Sequence, residues 1–325
     1  LEPGDIIVRV TAASICGSDI HFITGEVPLK PDFIIGHEGV GVVEEVGTGV
    51  KSFKPGDRVA IPYMVWCGTC PECKAGRTYA CTADLQFGVG KARGDLPGLQ
   101  AEYVRIPVAD LSVVHIPDSV SDREALFVGD ILSTGYIGVI NGNIQPGDDV
   151  AIFGAGPVGL CTVACARLFS PSRIILVDLK DYRLEAGKRL GATHTINARS
   201  ARAGSEIRRL TGGVGVQAAI EASGAETAVD DCLACTAKGG IISAIGMTPF
   251  SIRLAMGKVF YKNLTIVSGY TSLHEMSRLL KLIEHKQLDL TALITHEVPF
   301  SRILEGYRIF QDRLDNCIKV MVVPD

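Results

Sequence analysis

Four cysteines fall within fifteen residues: Cys67, Cys70, Cys73 and Cys81, separated by two, two and seven residues. Two intervening residues let neighbouring thiolates point at one centre, and the fourth arrives after a short loop. Tetrahedral Zn2+ held by four cysteines is a closed structural site with no open position for chemistry. Two disulfides are the first alternative, but the chain opens on Leu1-Glu2-Pro3-Gly4-Asp5 without a signal-peptide pattern, so secretion is not expected. An iron–sulfur cluster is the second. Bacterial ferredoxins also begin with two such short steps, yet their fourth cysteine follows after three residues and precedes a proline. Here seven residues intervene and Thr82 follows Cys81. A structural zinc is the expectation.

A second constellation could do chemistry. Cys16-Gly17-Ser18-Asp19-Ile20-His21 lies upstream of Gly36-His37-Glu38-Gly39. A lone cysteine is usually core, and a lone histidine is usually a hydrogen-bonded core or surface residue. Together they read as a catalytic zinc site short of one protein ligand, because such sites use three and leave the fourth position to water or substrate. Asp130 is a candidate for the third. It sits in Val128-Gly129-Asp130-Ile131-Leu132, among small and apolar residues where a charge is costly unless paired or metal-bound. A helix N-cap also explains an aspartate there, and residue chemistry alone leaves the two open.

Gly154-Ala155-Gly156-Pro157-Val158-Gly159 follows an apolar run ending at Phe153 and opens a helical pattern. The first glycine suits a tight turn, the second lets backbone approach a pyrophosphate, and the third lets helix pack on strand. The phosphate would then sit at the helix N-terminus. Asp178 ends the next strand pattern, the expected place for a carboxylate on the ribose 2′-OH. Such a carboxylate repels a 2′-phosphate and favours NAD(H) over NADP(H), although Lys180 and Arg183 nearby soften that preference. A turn-capping aspartate is the plain alternative.

The elements that must position these residues differ along the chain. The first third is rich in β-branched residues, Gly and Pro, and its runs at 5–12, 40–46, 58–61 and 101–106 read as short strands. From about residue 148, strands at 149–153, 174–177, 193–196, 216–221 and 240–245 alternate with helices at 157–169, 182–190 and 206–210. That alternation implies βαβ units and a parallel sheet. A helix at 272–285 and a strand-like piece at 318–323 follow. The expected fold class is α/β: a β-rich domain, residues 1–131 with 268–325, interrupted by a doubly wound dinucleotide domain at 132–267. The chain starts almost inside a strand, so a preceding N-terminal segment is expected.

Composition agrees. A chain of 325 residues suits two domains, and 47 % hydrophobic residues with 36 glycines suit a soluble α/β protein. A net charge of −4 offers no electrostatic footprint for nucleic acid. No apolar stretch approaches the about 18–20 residues of a membrane span. Ten cysteines imply a reducing compartment, and the cytoplasm is the expected location. Cys232 and Cys235 resemble a redox pair but fall in a helical pattern, and Cys161 and Cys165 lie one turn apart in another; packing is expected for all four.

Cys16-x-Ser18-Asp19-x-His21, Gly36-His37-Glu38-Gly39-Val40-Gly41, the four-cysteine run and the glycine motif at 154–159 together resemble the zinc-containing medium-chain alcohol dehydrogenase family. The resemblance covers essentially the whole chain. It implies a GroES-like β-rich catalytic domain, a Rossmann domain, two Zn2+ per chain and a homodimer or homotetramer. By it Cys16, His37 and Asp130 hold the catalytic zinc, Glu38 lies beside the metal and ligates transiently, and Asp19 orients His37. Many members carry cysteine at the third position; a subset, including bacterial secondary-alcohol and formaldehyde dehydrogenases, carries aspartate. The four-cysteine run argues against secondary-alcohol dehydrogenases that lack it.

The implied reaction is reversible hydride transfer between an alcohol and NAD+, giving an aldehyde or ketone. Ser18 would take the released proton and pass it through the cofactor ribose to His21. Thr134 would pack on the nicotinamide side, and Lys319 would lie near the pyrophosphate. Tyr63, Trp66, Phe87 and Leu132 are candidate pocket walls, with plain core the alternative. Two rivals remain: a polyol or amino-alcohol dehydrogenase of sorbitol or threonine type, and a non-catalytic protein that keeps the fold. The second would be expected to lose catalytic zinc ligands, whereas this chain presents a full set.

Overall fold

Alternate residues of the first strand, Ile6, Val8 and Val10, are fully buried while Arg9 is exposed, the period-two pattern of a half-buried strand. The computed structural model describes residues 1–247, 251–270 and 273–325. In chain order, β1 (Ile6–Ser14), α1 (Gly17–Ile23), β2 (Glu38–Val46) and β3 (Arg58–Ile61) come first. The cysteine lobe contains β4 (Met64–Val65), α2 (Pro71–Lys74) and β5 (Leu85–Gln86). Then follow β6 (Tyr103–Ile106), α3 (Ala109–Ser112), β7 (Val114–His115), α4 (Asp122–Ala125) and α5 (Ile131–Asn141).

The middle of the chain alternates strictly: β8 (Asp149–Phe153), α6 (Pro157–Arg167), β9 (Arg173–Asp178), α7 (Asp181–Leu190), β10 (His194–Asn197) and α8 (Ala203–Leu210). It continues with β11 (Val216–Glu221), α9 (Glu226–Cys235), β12 (Thr236–Ala244), α10 (Met256–Lys262) and β13 (Thr265–Ser268). The return consists of α11 (Met276–Glu284), β14 (Ile294–Pro299), α12 (Ile303–Asp312) and β15 (Lys319–Val323). Ser272, where the sequence pattern starts the helix before residue 285, lies outside the described residues; a 3-10 turn, Leu273–Glu275, precedes α11.

Two compact units result: Leu1–Ser133 with Ser272–Asp325, and Thr134–Thr271. The first holds a seven-stranded sheet ordered β14-β15-β1-β2-β3-β7, with β6 also paired to β1. Its core gathers Ile6, Val8, Val10, Val59, Ile61 and Val322, and full burial of each such side chain stabilises by about 1.5–3 kcal/mol. Helix α11 covers part of this unit with Met276, Leu279, Leu280 and Ile283, the spacing of one helical face.

The second unit is a six-stranded, wholly parallel sheet ordered β10-β9-β8-β11-β12-β13. Counted within the unit this is 3-2-1-4-5-6, the Rossmann order, whose switch point lies beside β8. Strands β8 and β9 are buried nearly end to end, as expected when helices cover both faces. Cys161 and Cys165 in α6 and Cys232 and Cys235 in α9 are all buried. Burial pushes the Cys232 thiol up and the Cys235 thiol up to about 12, so neither is a ready nucleophile.

Candidate active site and metal centres

Strand register explains why distant residues meet. Ser14, the last residue of β1, pairs with Glu38, the first of β2, and also with Met321 of β15. Cys16 follows just past the end of β1, His37 just precedes β2, and Lys319 opens β15. Gly39 pairs with Ile61 at the end of β3. The chain before α5 is pinned there: Tyr63 N–H donates to the Gly129 carbonyl at 3.0 Å, so Asp130 arrives at the same sheet end. A Cβ at Gly129 would stand 1.9 Å from the Ile61 oxygen, which only glycine avoids. Gly129→Ala is therefore expected to lower stability by roughly 1–3 kcal/mol through overpacking against rigid backbone. Because the displaced loop carries Asp130, zinc content should fall with the melting temperature; a variant with wild-type values for both would rule out this pinning role.

The ligand atoms of Cys16, His37, Glu38 and Asp130 all lie within 4.8 Å of one another. Asp130 Oδ2 is 3.4 Å from His37 Nε2 and 3.7 Å from Cys16 Sγ. A tetrahedral zinc with bonds of about 2.0–2.3 Å separates its ligand atoms by about 3.3–3.8 Å. Both Asp130 separations match that ion, and Cys16 and His37 lie within 4.8 Å of each other. Behind them, Asp19 Oδ1 is 3.2 Å from His37 Nδ1, so Nε2 is the nitrogen turned to the centre. Asp19 is fully buried and its Oδ2 accepts from the Cys16 N–H at 2.9 Å.

The electrostatics also ask for a cation. Burial opposes charge on His37, but Asp19, Cys16 and Asp130 outweigh it and hold the imidazole pKa well above its ordinary value. Burial also opposes charge on Asp130, yet His37 pulls its carboxyl pKa below normal. Burial and then Glu38 raise the Cys16 thiol. A proton on His37 thus does part of what a divalent metal would do better, and metal binding would release it.

Glu38 is fully buried, and burial lifts its carboxyl above the usual range against the pull of Lys319. Its Oε2 accepts from Ser14 Oγ, and Lys319 Nζ donates to Oε1 at 2.6 Å. Lys319 has no exposed surface. This departs from the expectation of a pyrophosphate contact: the ammonium here neutralises Glu38 beside the metal donors, because a buried carboxylate needs a buried partner.

Cys67, Cys70, Cys73 and Cys81 likewise bring their sulfurs within 4.8 Å. Backbone N–H groups point at the sulfurs: Cys70 N to Cys67 Sγ and Cys73 N to Cys70 Sγ, both 3.4 Å, and Cys67 N to Cys81 Sγ at 3.3 Å. The Thr69 hydroxyl and the backbone lower the Cys67 thiol to about 6, while burial and the neighbouring Cys70 push Cys73 up to about 12. Hydrogen bonds thus favour thiolate at Cys67 and burial favours thiol at Cys73. A divalent cation resolves that contrast in favour of four thiolates, the form that binds metal.

In the second unit Gly154 takes φ +98°, closing the turn after β8. A Cβ at Gly159 would lie 1.7 Å from the Gly154 oxygen, whereas one at Gly156 would meet nothing within 4 Å. Gly159 is thus needed for packing, and Gly156 lines open space that a phosphate can occupy, next to Pro157 and Val158 in the first turn of α6. Asp178 Oδ2 accepts from Ala155 N at 2.7 Å, and Oδ1 accepts from Leu179 N and Lys180 N at 2.7 and 2.8 Å. These three amides fix the carboxylate at the rim of the glycine turn.

The comparisons agree with this geometry. The family described as alcohol dehydrogenase GroES-like domain matches residues 2–118, and that described as zinc-binding dehydrogenase matches 157–285. The chain belongs to the zinc-containing medium-chain alcohol dehydrogenase family. Among its relatives, an alcohol dehydrogenase of Cupriavidus necator is 34 % identical, with 100 % of this chain and 93 % of that protein covered. A sorbitol dehydrogenase of Bacillus subtilis is 33 % identical over 99 % of this chain and 90 % of its own length. Among solved structures, the alcohol dehydrogenase of Thermus sp. ATN1 superposes with a TM-score of 0.95 at 35 % identity, covering 100 % of this chain and 94 % of the other. As a member of this dehydrogenase family the protein is an oxidoreductase that uses zinc and a nicotinamide cofactor.

Other expected site residues of this dehydrogenase are placed as follows. Ser18 Oγ lies 3.1 Å from His37 Nε2, beside the metal donors. His21 Nδ1 lies 2.5 Å from Glu26 Oε2 near the surface, so Ser18 and His21 have different immediate partners. Thr134 falls in the first turn of α5. Arg183 Nε reaches the neighbouring Tyr182 hydroxyl at 3.1 Å. Of the candidate pocket walls, Phe87 and Leu132 are fully buried and Phe87 belongs to the core of the first unit; for these two the packing reading holds. Sequence reasoning missed Ser14, Gln100 and Tyr307, which flank the centre. Ser14 was recoverable from its place at a strand end; the other two carry no local signal.

Proposed function

We propose that this chain catalyses the reversible oxidation of a primary or secondary alcohol to an aldehyde or ketone with NAD+, and that Cys16, His37 and Asp130 hold its catalytic zinc. The observation that carries this is the convergence of those three donors within 4.8 Å of one another, with Asp130 at 3.4 and 3.7 Å from the other two. The bound zinc supplies Lewis acidity toward the substrate oxygen, and the nicotinamide supplies the hydride acceptor. The protein's own residues do the rest. Asp19 fixes the ring of His37. Glu38, held by Lys319 and Ser14, stays close enough to enter the centre transiently. Ser18 Oγ, freed from His37 Nε2 when that nitrogen is ligated, would accept the proton of the alcohol while giving up its own. His21, paired with Glu26, would be the outlet to solvent, with the cofactor ribose between the two.

Gly154, Gly156, Pro157, Val158 and Gly159 would cradle the pyrophosphate, with Asp178 on the adenosine ribose, Arg183 nearby and Thr134 at the nicotinamide. The anchored Asp178 carboxylate supports NAD+ over NADP+. Assembly as a homodimer or homotetramer is supported by the edge strand β13, which carries no charge or proline, and by Met256, Phe260 and Tyr261 standing exposed on neighbouring α10. The thiolate centres require a reducing environment, which supports the cytoplasm.

A sorbitol- or threonine-type substrate is the second reading, supported by the nearly equal similarity to the Bacillus subtilis sorbitol dehydrogenase. Turnover of ethanol, 2-propanol, benzyl alcohol, sorbitol and threonine by the zinc-loaded protein, each with NAD+ and NADP+, tests both. The simple alcohols with NAD+ are expected to lead in kcat/KM, with NADP+ at least about tenfold worse, a difference of about 1.4 kcal/mol. Preference for sorbitol or threonine would overturn the simple-alcohol assignment.

A further inference from the structure

A chain of polar contacts runs away from the metal donors to a tyrosine far along the sequence. His37 Nδ1 faces Asp19 Oδ1 at 3.2 Å. The other oxygen, Oδ2, accepts from the Cys16 N–H at 2.9 Å and from Gln100 Nε2 at 3.3 Å. Tyr307, in α12, donates its hydroxyl to Gln100 Oε1 at 2.6 Å. Tyr307 is 6 % exposed and Asp19 fully buried, so solvent does not replace these partners. Burial first, and then the Asp19 charge, push the phenol pKa up, which keeps the hydroxyl a donor.

We infer that Gln100 and Tyr307 are positioning residues for the catalytic metal, acting through Asp19 on His37. This rests on the reading of Cys16, His37 and Asp130 as zinc ligands. A glutamine amide has one accepting end and one donating end, and either can face a neighbour. With its oxygen engaged by Tyr307, Gln100 must turn its N–H groups to Asp19 Oδ2 and to the Ser14 carbonyl, 3.5 Å away. The opposite orientation would set an amide oxygen against a buried carboxylate. The side chain packs against Gly36, where a Cβ would come within 2.5 Å of Gln100 Cγ. Asp19 and the Ser14 carbonyl, which only accept, thus fix which end of Gln100 they meet, and Tyr307 holds the other end in place. Gln100 and the Cys16 amide hold Oδ2, which leaves Oδ1 for the imidazole N–H. Partners of this kind behind a metal-bound histidine typically govern metal affinity by about 10–100-fold.

The test uses the full-length protein and the variants Tyr307→Phe, Gln100→Leu and the double substitution. Zinc affinity is measured by competition with a chromophoric chelator, and the visible absorption of the cobalt-substituted protein reports ligand geometry. The four-cysteine lobe serves as an internal reference within the same chain. Tyr307→Phe is expected to weaken the catalytic metal about tenfold and to alter its cobalt bands, while the lobe metal and the melting temperature stay close to wild type. In the Gln100→Leu background, Tyr307→Phe should have a smaller effect than in wild type, because part of the tyrosine's action runs through that amide and the rest through its own contact with Asp19. Unchanged affinity and cobalt bands in Tyr307→Phe, or independent additive effects in the double variant, would overturn the inference while leaving the zinc reading standing. A wild-type protein that takes up metal only at the lobe would overturn both.

Discussion

Cys16→Ala is expected to lower kcat/KM for NAD+-dependent alcohol oxidation by at least about 10^3-fold, equivalent to about 4 kcal/mol of transition-state stabilisation. The thiolate is one of three protein donors, and its loss leaves His37 and Asp130 to hold an ion alone. Lewis-acid activation of a substrate oxygen is worth several kcal/mol, and it disappears with the metal. The fold should survive, because Cys16 sits at the N-cap of α1 just past β1 and is not part of the central core. Steady-state kinetics together with a melting curve separate the two effects. Activity within tenfold of wild type would show that this cysteine does not serve the reaction. Asp130→Asn, which keeps the shape but removes the charge, should fall between Cys16→Ala and wild type.

Cys81→Ser is expected to lower the melting temperature by roughly 4–5 °C, which corresponds to about 3 kcal/mol in a chain of 325 residues. Structural zinc contributes about 10–16 kcal/mol where a whole peptide depends on it; here only the lobe does, so a fraction of that is lost. Cys81 is the most buried of the four sulfurs and receives N–H groups from both Cys67 and Ala83 at 3.3 and 3.4 Å. Removing it leaves three thiolates without their closing ligand. The lobe, whose regular structure is short β4 and β5, a single turn of α2 and two 3-10 turns at Thr78–Ala80 and Gly90–Arg93, has little else to hold it. Limited proteolysis should therefore cut first between residues 66 and 95. An unaltered melting curve and proteolytic pattern would mean that the lobe folds without metal.

Much of the centre was legible because its residues come in short runs. Cys16 to Asp19 and His37 with Glu38 are contiguous in sequence, and the four lobe cysteines carry their geometry in their spacing. Asp130 was less legible: its neighbours make a buried charge costly, but a cap would also explain it, and only its arrival at the end of β3 brings it to Cys16 and His37. Lys319 illustrates a different limit. Its charge is plain in the sequence, its complete burial is not, and burial is what pairs it with Glu38. Gln100 and Tyr307 lie 207 positions apart and meet only through the sheet.

The same contrast holds for the fold. Strands β3, β8 and β11 were readable from alternating or continuous apolar runs. Helix α10 was not, since none of its residues is buried and no periodicity marks it. Strand β13 is four residues on a sheet edge, and β14 is interrupted by His296 and Glu297. Helix α12 does present a stripe at Ile303, Gly306, Tyr307 and Phe310, but the glycine inside it disguises the face that packs on the core.

Zinc stoichiometry tests the assignment of the working metal most directly. The protein purified from zinc-supplemented cells should carry two zinc ions per chain, and Cys16→Ala should carry one, held by the four-cysteine lobe. One zinc in both proteins would contradict a catalytic metal at Cys16, His37 and Asp130.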